Sequence, residues 1–348
     1  MADWTRGMTR TYEWWTVNPE TWGDAERLLN VTGAVVTRDM DDPLMEHSSY
    51  DMDARGGEGY VRTYLITEQD GVRERWPLST HLMQAPSHSF DGMRGMMTAD
   101  GDSPLIELSD ERLPVCYTVE DGFATAHAAR LLRAYGKMPV TVSGDAGSIA
   151  DPCSADEDTS PLDFISTLAE KGEMQVTLDG RGCAMVGPKP QPTSLMPVFT
   201  FNDGNSSILR PQVTVSSNIA DVPNVVEVVF SAPERCLFGT AANDDPADAN
   251  STVMLGRRKV MRIVNPDGMP DEPTQADVDD LAKRTLKHEG ATVYEVEFEH
   301  AFHPDVKIGS AVRLAYSRMG LNVVAQVVSQ EIQCTPGCLV RCRARYTK

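Results

Sequence analysis

The sequence predicts a β-rich α+β protein, in which two antiparallel β regions are separated by a small inserted α/β region. Three observations predict this class. Short segments rich in apolar and β-branched residues recur between Gly, Pro and Asp turns at both ends of the chain. Helical periodicity is confined to the middle and to one later segment. The 348 residues are enough for two to four domains.

The first β region covers residues 1–110. Its predicted strands are Gly33–Arg38, Leu44–Met52, Tyr60–Gln69 and Val72–Met83. The last two are joined at Asp70-Gly71, a dipeptide typical of a β-hairpin turn. We expect residues 1–12 to be a flexible arm, and residues 88–109, rich in Gly, Met, Asp and Ser, to be a loop or insertion. For Trp14, Trp15 and Trp22 we expect core packing, with a partner contact as the alternative.

The inserted region covers residues 111–197. Apolar residues at helical spacing predict a helix over Phe123–Tyr135. Ser160 is a suitable N-cap for a second helix over Pro161–Lys171. A hairpin is predicted for Met174–Leu178 with Cys183–Val186, and four prolines between residues 188 and 197 predict a stiff linker.

The second β region covers residues 198–348 and is interrupted by a helix-containing excursion over residues 232–290. The nearly all-apolar segment Asn224–Ser231 predicts a strand buried on both faces. Thr274 can cap a helix over Thr274–His288. Four strands are predicted to follow, at Ala291–His300, Ser310–Tyr316, Leu321–Gln330 and Leu339–Tyr346.

The net charge of −19 argues against a nucleic-acid-binding protein. Such a protein needs basic groups to displace counterions from phosphates. The acidity is compatible with a wall past which DNA slides, although solubility alone also accounts for it. No stretch approaches the roughly 18 consecutive apolar residues of a membrane helix. The polar start of the chain is unlike a secretory signal, so the seven cysteines are expected to be reduced.

Two clusters could carry metal chemistry. His300, His303 and Asp305 could converge on a metal, but no fourth ligand is evident and a strand-end loop is favoured. Cys334, Cys338 and Cys342 could form a zinc half-site or a disulfide across a Pro-Gly turn. A second cysteine pair at zinc spacing is lacking, so buried free thiols are favoured, with a disulfide second. We therefore predict no metal and no cofactor.

No catalytic residue is predicted either. Acidic pairs such as Asp41-Asp42 and Asp244-Asp245 are interpreted as parts of solvated loops. A glycosidase needs two carboxylates at a defined separation in a cleft, and sequence alone does not reveal a cleft. Ser48, Ser143 and Ser216 lack the context of a nucleophile elbow.

A basic stretch stands out in the polar excursion between residues 239 and 273. Four positive charges occur there within six residues of an acidic chain, at Arg257, Arg258, Lys259 and Arg262. Two interpretations remain open, a solvated hairpin and an arm that docks on a neighbouring acidic subunit. On the second interpretation these four residues are assembly contacts.

The segment Asp221-Val222-Pro223-Asn224-Val225-Val226-Glu227-Val228-Val229-Phe230 resembles the start of the second half of phage tail hub proteins. This family includes baseplate hubs, the late control protein D group and the hub part of type VI secretion spikes. The helix Thr274–His288, which runs directly into a strand, is also similar. So is the segment His303–Leu314, although Ser310 stands where the family commonly has Asp.

The resemblance implies two tube-like antiparallel β-barrel domains, at residues 1–110 and 198–348, with an inserted α/β domain at 111–197. It implies a homotrimer that forms a pseudo-sixfold ring, joins the tail tube to the tip and surrounds the DNA channel. The expected partners are the tail tube or distal tail protein, the tape-measure protein and tip or spike proteins. DNA would contact the chain only in passing, and no membrane span is expected. The protein would belong to the tail tip of the virion and assemble in the bacterial host cytoplasm.

Two other functions remain open at this point. A tail-associated hydrolase acting on the host cell envelope would need converging carboxylates in a deep cleft. A carbohydrate-binding adhesion module would need exposed tryptophans, with Trp14, Trp15 and Trp22 as the candidates.

Overall fold

The computed structural model describes residues 2–53, 57–90, 92, 95–149, 152–190, 196–204, 207–217, 219–232, 235–266 and 273–347. The protein is mostly β, with large antiparallel sheets, as predicted. The chain divides into two compact units, residues 1–213 with 297–344 and residues 214–296 with 345–348. The division into three domains at residues 110 and 197 stays a prediction.

Seven strands and one short helix form the first β region. They are β1 (Thr9–Val17), β2 (Asp24–Leu28), β3 (Val31–Asp39), β4 (Glu46–Asp53), β5 (Gly59–Gln69), β6 (Val72–Phe90), β7 (Gly95–Asp102) and α1 (Ile106–Asp110). The predicted hairpin between β5 and β6 is confirmed. Asp70 and Gly71 both have positive φ, as a two-residue hairpin turn with the strands' own twist requires.

Two expectations for this region are wrong. Residues 1–12 are not a flexible arm, because Trp4 is buried against Trp76 and Phe302. Burying an indole ring removes a large apolar area from water and anchors the segment. The described part of residues 88–109 is not a loop or insertion, because β6 continues to Phe90 and pairs with β7, and α1 follows β7. Main-chain hydrogen bonds hold this ladder despite the Gly- and Ser-rich sequence.

The inserted region contains five short strands and two helices. They are β8 (Thr118–Val119), α2 (Ala124–Tyr135), β9 (Val140–Val142), β10 (Cys153–Ser154), α3 (Pro161–Lys171), β11 (Met174–Leu178) and β12 (Ala184–Pro188). Both predicted helices and the hairpin β11–β12 are confirmed, and the Asp163 N–H donates to the Ser160 cap at 3.0 Å. Leu132, Phe164 and Leu168 are buried in one cluster with Trp22. Residues 191–195 of the predicted proline linker lie outside the described residues.

The second β region begins at β13. Its elements are β13 (Phe199–Asn202), β14 (Leu209–Ser217), β15 (Val225–Ala232), β16 (Arg235–Ala242), α4 (Thr252–Leu255), β17 (Val260–Val264), α5 (Gln275–Glu289), β18 (Val293–Ala301), β19 (Ala311–Tyr316), β20 (Leu321–Gln333) and β21 (Leu339–Thr347). The predicted strands and the late helix are confirmed. Thr274 caps α5 in a reciprocal capping box with Asp277.

The described part of residues 232–290, which the sequence predicts as a helix-containing excursion, contains β16, β17 and α5. β16 pairs antiparallel and β17 parallel with β15, and together they form a three-stranded sheet in the order β16-β15-β17. α5 packs on one face of this sheet, where Val226, Val228, Val278 and Ala282 are buried together. These three strands and α5 therefore form a small α/β structure with its own core, of which the sequence predicts β15 and α5.

The two β regions share one strand order. Neighbouring strands follow β3-β4-β7-β6-β5-β1 in the first region and β14-β18-β21-β20-β19-β13 in the second. Strands at the same position in the two orders also follow one another in the same order along the chain. One pairing differs, since β1 is antiparallel to β5 whereas β13 is parallel to β19. The two regions join where Ser329–Gln333 of β20 pairs with Val35–Asp39 of β3.

Candidate assembly surfaces

The basic stretch lies at the start of β17 and is partly neutralised within the chain. Glu227 of β15 accepts hydrogen bonds from Arg258 at 3.1 Å and from Arg262 at 2.7 and 3.0 Å. The Arg262 hydrogen bond, the largest cause, holds the pKa of Glu227 below its usual range. The two arginine side chains are still 59% and 62% exposed. One carboxylate therefore serves two guanidinium groups, and both retain donors that face solvent.

The other two basic residues differ from each other. The Lys259 ammonium donates to the Ile219 carbonyl, and burial followed by the nearby Arg257 lowers the pKa of Lys259. Asp221 and Asp248 lie close enough to act on it in the opposite direction. Arg257 is exposed. The structure thus brings Arg258 and Arg262 together at Glu227, and three of the four predicted residues face solvent.

Exposed apolar side chains accumulate around this stretch. Six of the large apolar residues left exposed lie between residues 238 and 264, namely Phe238, Val253, Met254, Val260, Met261 and Val264. No residue of α4 is buried. Exposed apolar side chains grouped beside charged ones are typical of protein contact surfaces.

Two further open edges lie in the large sheet. β14 stands at the end of the strand order, so one of its edges has no strand partner among the described residues. β6 pairs with β5 only through Val72–Met83, while β7 covers its other side from Leu82 to Phe90. The edge of Ser87–Phe90 opposite β7 therefore lacks a strand within the described part of the chain, and its side chains are exposed. Such edges offer free N–H and C=O groups to another strand.

The three cysteines of the β20–β21 hairpin are free thiols, and the predicted burial is confirmed. Burial raises the pKa of Cys338 to about 11 and that of Cys342 to about 12, and it also raises the pKa of Cys334. Because the thiolate is both the nucleophile and the zinc ligand, protonated buried thiols suit packing better than chemistry. Tyr12 covers the hairpin by donating to the Thr335 carbonyl at 2.8 Å.

The predicted histidine cluster is divided between core and loop. His300 is buried at the end of β18, where Nδ1 lies 2.7 Å from the Ala301 carbonyl and Nε2 lies 3.3 Å from Cys342 Sγ. Burial lowers the pKa of His300 to about 4, so the ring is neutral. His303 packs on Phe199, with ring centroids 4.4 Å apart, and Nδ1 lies 3.9 Å from the Asp305 carboxylate. Among the described residues, no three His, Cys, Asp or Glu side chains form a metal-binding group.

A buried polar cluster escaped the sequence analysis. Ser48 Oγ lies 2.8 Å from His81 Nδ1, and His81 Nε2 lies 3.4 Å from Glu46 Oε2. Arg38 Nε completes the cluster 3.0 Å from Glu46. The residue types are those of a hydrolase triad, but His81 and Glu46 are 0% and 1% exposed. A substrate cannot reach such a site, so the cluster ties together the interior of β3, β4 and β6.

One cavity of about 360 Å³ is lined by residues of α3 and β11 and of the segment between β3 and β4. Asp41, Asp42 and Glu170 also line it. Asp42 is engaged with His47, whose Nε2 lies 2.9 Å away. Of the candidate sugar-binding tryptophans, Trp22 is buried against Tyr60, and the Arg75 guanidinium lies over the Trp15 ring at 5.1 Å. The cavity and the tryptophans thus give no specific support to a hydrolase or a carbohydrate binder.

No helix in the described residues has the length and apolar character needed to cross a membrane. Comparison of the sequence with protein-family models gives no match, and comparison with curated proteins gives none either. Comparison of the fold with solved structures does find similar proteins.

A tail protein from Neisseria meningitidis MC58 superposes with a TM-score of 0.66 at 12% identity, covering 98% of this chain and 97% of the other. The 43 kDa tail protein of prophage MuSo2 from Shewanella oneidensis gives 0.66 at 13% identity, covering 96% and 98%. Prophage tail protein gp18 from Listeria monocytogenes EGD-e gives 0.51 at 10% identity, covering 98% and 94%. The resemblance expected from the sequence is confirmed at the level of the fold, and the chain has the fold of phage tail proteins.

Proposed function

We propose that this chain is a structural subunit of a phage tail tip or baseplate hub. In this role three copies form a pseudo-sixfold ring that joins the tail tube to the tip. The likeness to phage tail proteins over nearly the whole chain supports a tail role. The observation that carries the ring is the strand order shared by the two β regions. A repeat of one architecture within each chain allows three chains to build six similar positions.

The contact between the two repeats suggests how the ring closes. Within the chain, the distal part of β20 pairs with β3. In the shared strand order, β20 of the second region corresponds to β6 of the first, and β3 of the first corresponds to β14 of the second. Among the described residues, both the distal edge of β6 and the outer edge of β14 lack a neighbouring strand. In the proposed ring, Ser87–Phe90 of one copy pairs with β14 of the next, which removes both edges.

The ring leaves a central passage for DNA or a tape-measure protein. Its wall is acidic or neutral in this proposal, because a basic wall would hold the phosphate backbone. The chain's charge of −19 is consistent with such a wall. The tail tube or a distal tail protein lies on one side of the ring, and tip or spike proteins lie on the other. Arg257, Arg258 and Arg262 serve as assembly contacts. The subunit belongs to the virion tail tip and assembles in the host cytoplasm.

The proposed role is mechanical and needs no catalytic group. The cluster of Ser48, His81 and Glu46, which has the residue types of a hydrolase triad, is buried inside the protein. The buried Trp22 is likewise used for packing, which gives an adhesion module no support.

Hydrogen-exchange mass spectrometry tests the ring contact. Native mass spectrometry of the purified protein should give three times the 38.2 kDa chain mass. In the trimer, amides of Ser87–Phe90 and Leu209–Ser217 should exchange more slowly than in the diluted monomer. Strand β2 provides the control, because it ends the strand order without a counterpart in the second repeat and should exchange equally in both states. Unchanged exchange of β6 and β14 in a trimer would contradict this contact.

A further inference from the structure

We propose that the free edge of β17 binds an extended segment of another tail protein, one in which carboxylate and apolar side chains alternate. This inference rests on the proposed tail function but not on the ring contact. It assigns a partner to the basic and apolar surface of the small sheet, which the pairing of β6 with β14 leaves unused.

The backbone of β17 presents an open ladder. The Asn265 N–H donates to the Val229 carbonyl at 2.8 Å, and the Lys259 carbonyl accepts from Val225. Backbone groups of alternate residues in a strand point to opposite sides. Val260, Arg262 and Val264 therefore direct their N–H and C=O groups away from β15. In the described residues no strand meets them there, since β17 ends the order β16-β15-β17. An added strand would satisfy these groups.

The two faces of β17 differ, so each favours a different kind of side chain on the incoming strand. On one face Arg262 lies beside Arg258, and both keep exposed donors after sharing Glu227. Carboxylates of an incoming strand would reach these groups and Arg257. On the other face, α5 covers β15 and β16, whereas Met261 of β17 remains 37% exposed. Apolar side chains on the second face of the incoming strand would cover Met261 and the half-buried Ile263 beside the helix.

The same chain does not supply such a strand from its described part. The clearest alternation of the required kind is in β18, where Glu295, Glu297 and Glu299 alternate with Val296 and Phe298. β18 already pairs with β14 on one side and β21 on the other. A second copy therefore cannot offer β18 without opening its own sheet, which points to a different protein as the partner.

A peptide with the pattern of β18 provides a probe. Fluorescein-labelled Val-Tyr-Glu-Val-Glu-Phe-Glu, the sequence of residues 293–299, is titrated with the full chain and followed by fluorescence anisotropy. We expect saturable, salt-sensitive binding. A peptide in which the three Glu are replaced by Lys should bind at least about ten-fold more weakly, because each opposed charge steers and orients the strand.

Two proline substitutions test the edge itself. Val264→Pro removes an N–H that points away from β15 and leaves the β15 ladder intact, as edge strands tolerate. It should weaken peptide binding at least about ten-fold. Thr240→Pro is the matched control on the opposite edge of the same sheet, because Thr240 points its N–H away from β15. It should bind the peptide like the original chain. Circular dichroism confirms that both variants are folded.

Arg257→Glu tests the charge, since this side chain does not share Glu227 with the other two arginines. It too should weaken binding. Equal affinity for the Glu and Lys peptides, or unchanged affinity of Val264→Pro, would overturn the proposal. So would preferential binding of a single-stranded oligonucleotide. A loss of self-association in Val264→Pro, measured by sedimentation, would assign the edge to a second copy instead. Sedimentation of the unmodified chain reports on the ring separately, so either proposal can fail alone.

Discussion

Glu227 and Arg262 occupy opposed positions on the parallel strands β15 and β17, and their side chains are joined by two hydrogen bonds. The Arg262 Nε and a terminal nitrogen donate to Glu227 Oε2 at 3.0 and 2.7 Å. This pair fixes the Arg262 side chain, which lies on β17, against the neighbouring strand of the small sheet.

Glu227→Gln should lower the thermal stability of the small sheet at neutral pH, because two guanidinium groups lose their shared carboxylate. The pKa of Glu227 is lowered in the folded protein, so its stabilising contribution is present above the unfolded value of about 4.3. That contribution is lost as the pH falls through the lower folded pKa. Melting curves at pH 7 and at about pH 3 should therefore differ less for the variant than for the original protein. An equal pH response would contradict this role.

Thr274→Ala should destabilise α5 by about 1 kcal/mol, the usual cost of losing an N-cap. The Thr274 hydroxyl accepts from the Asp277 N–H at 3.3 Å, and the Asp277 carboxylate accepts from the Thr274 N–H at 2.7 Å. Urea unfolding measures the loss. Thr167→Ala, on the exposed side of α3, is a control with a smaller expected effect. A variant as stable as the original would show that the cap contributes nothing.

His300→Phe should reduce the sensitivity of the protein to acid. Burial lowers the pKa of His300 to about 4, so the folded state resists a proton that the unfolded state accepts below about 6.5. The contribution of the neutral His300 ring to the free energy of unfolding is fully present well above pH 6.5, and it declines as the pH falls below that value. Between pH 6.5 and 5 the loss is about 2 kcal/mol for this one group. Urea unfolding at both pH values should show a smaller decline in the variant than in the original protein, and an equal decline would contradict this role.

Cys334→Ser combined with Cys338→Ser should leave assembly intact, because neither thiol is expected to bind a metal or perform chemistry. The variant should be less stable, since the hydroxyl that replaces each buried thiol needs a hydrogen-bond partner. Native mass spectrometry checks assembly, and elemental analysis of the unmodified protein checks for metal. Stoichiometric zinc would refute the prediction.

Much of the fold could be predicted where local chemistry decides it. Asp70-Gly71 specifies a tight turn through its positive φ values, and Ser160 and Thr274 mark the starts of helices through hydrogen bonds to the first turn. In these places the signal lies within a few consecutive residues. Main-chain hydrogen bonding and helix periodicity then carry the element forward.

The parts that escaped prediction depend on distant neighbours. β7 contains Gly95, Thr98 and Gly101, and it is a strand because β4 and β6 flank it. β17 is likewise a strand because it pairs in parallel with β15, which lies about 30 residues earlier in the chain. The sequence singled out the basic residues as a group, but it could not show that Glu227 binds two of them. That partner lies more than 30 residues away along the chain.

The central claim is that three chains form a ring from six similar β regions. Negative-stain electron microscopy of the purified assembly, with two-dimensional class averages of end-on views, tests it most directly. We expect a threefold-symmetric ring with six lobes of similar size around an open centre. Monomeric particles at assembly concentrations, or oligomers without threefold symmetry, would contradict it.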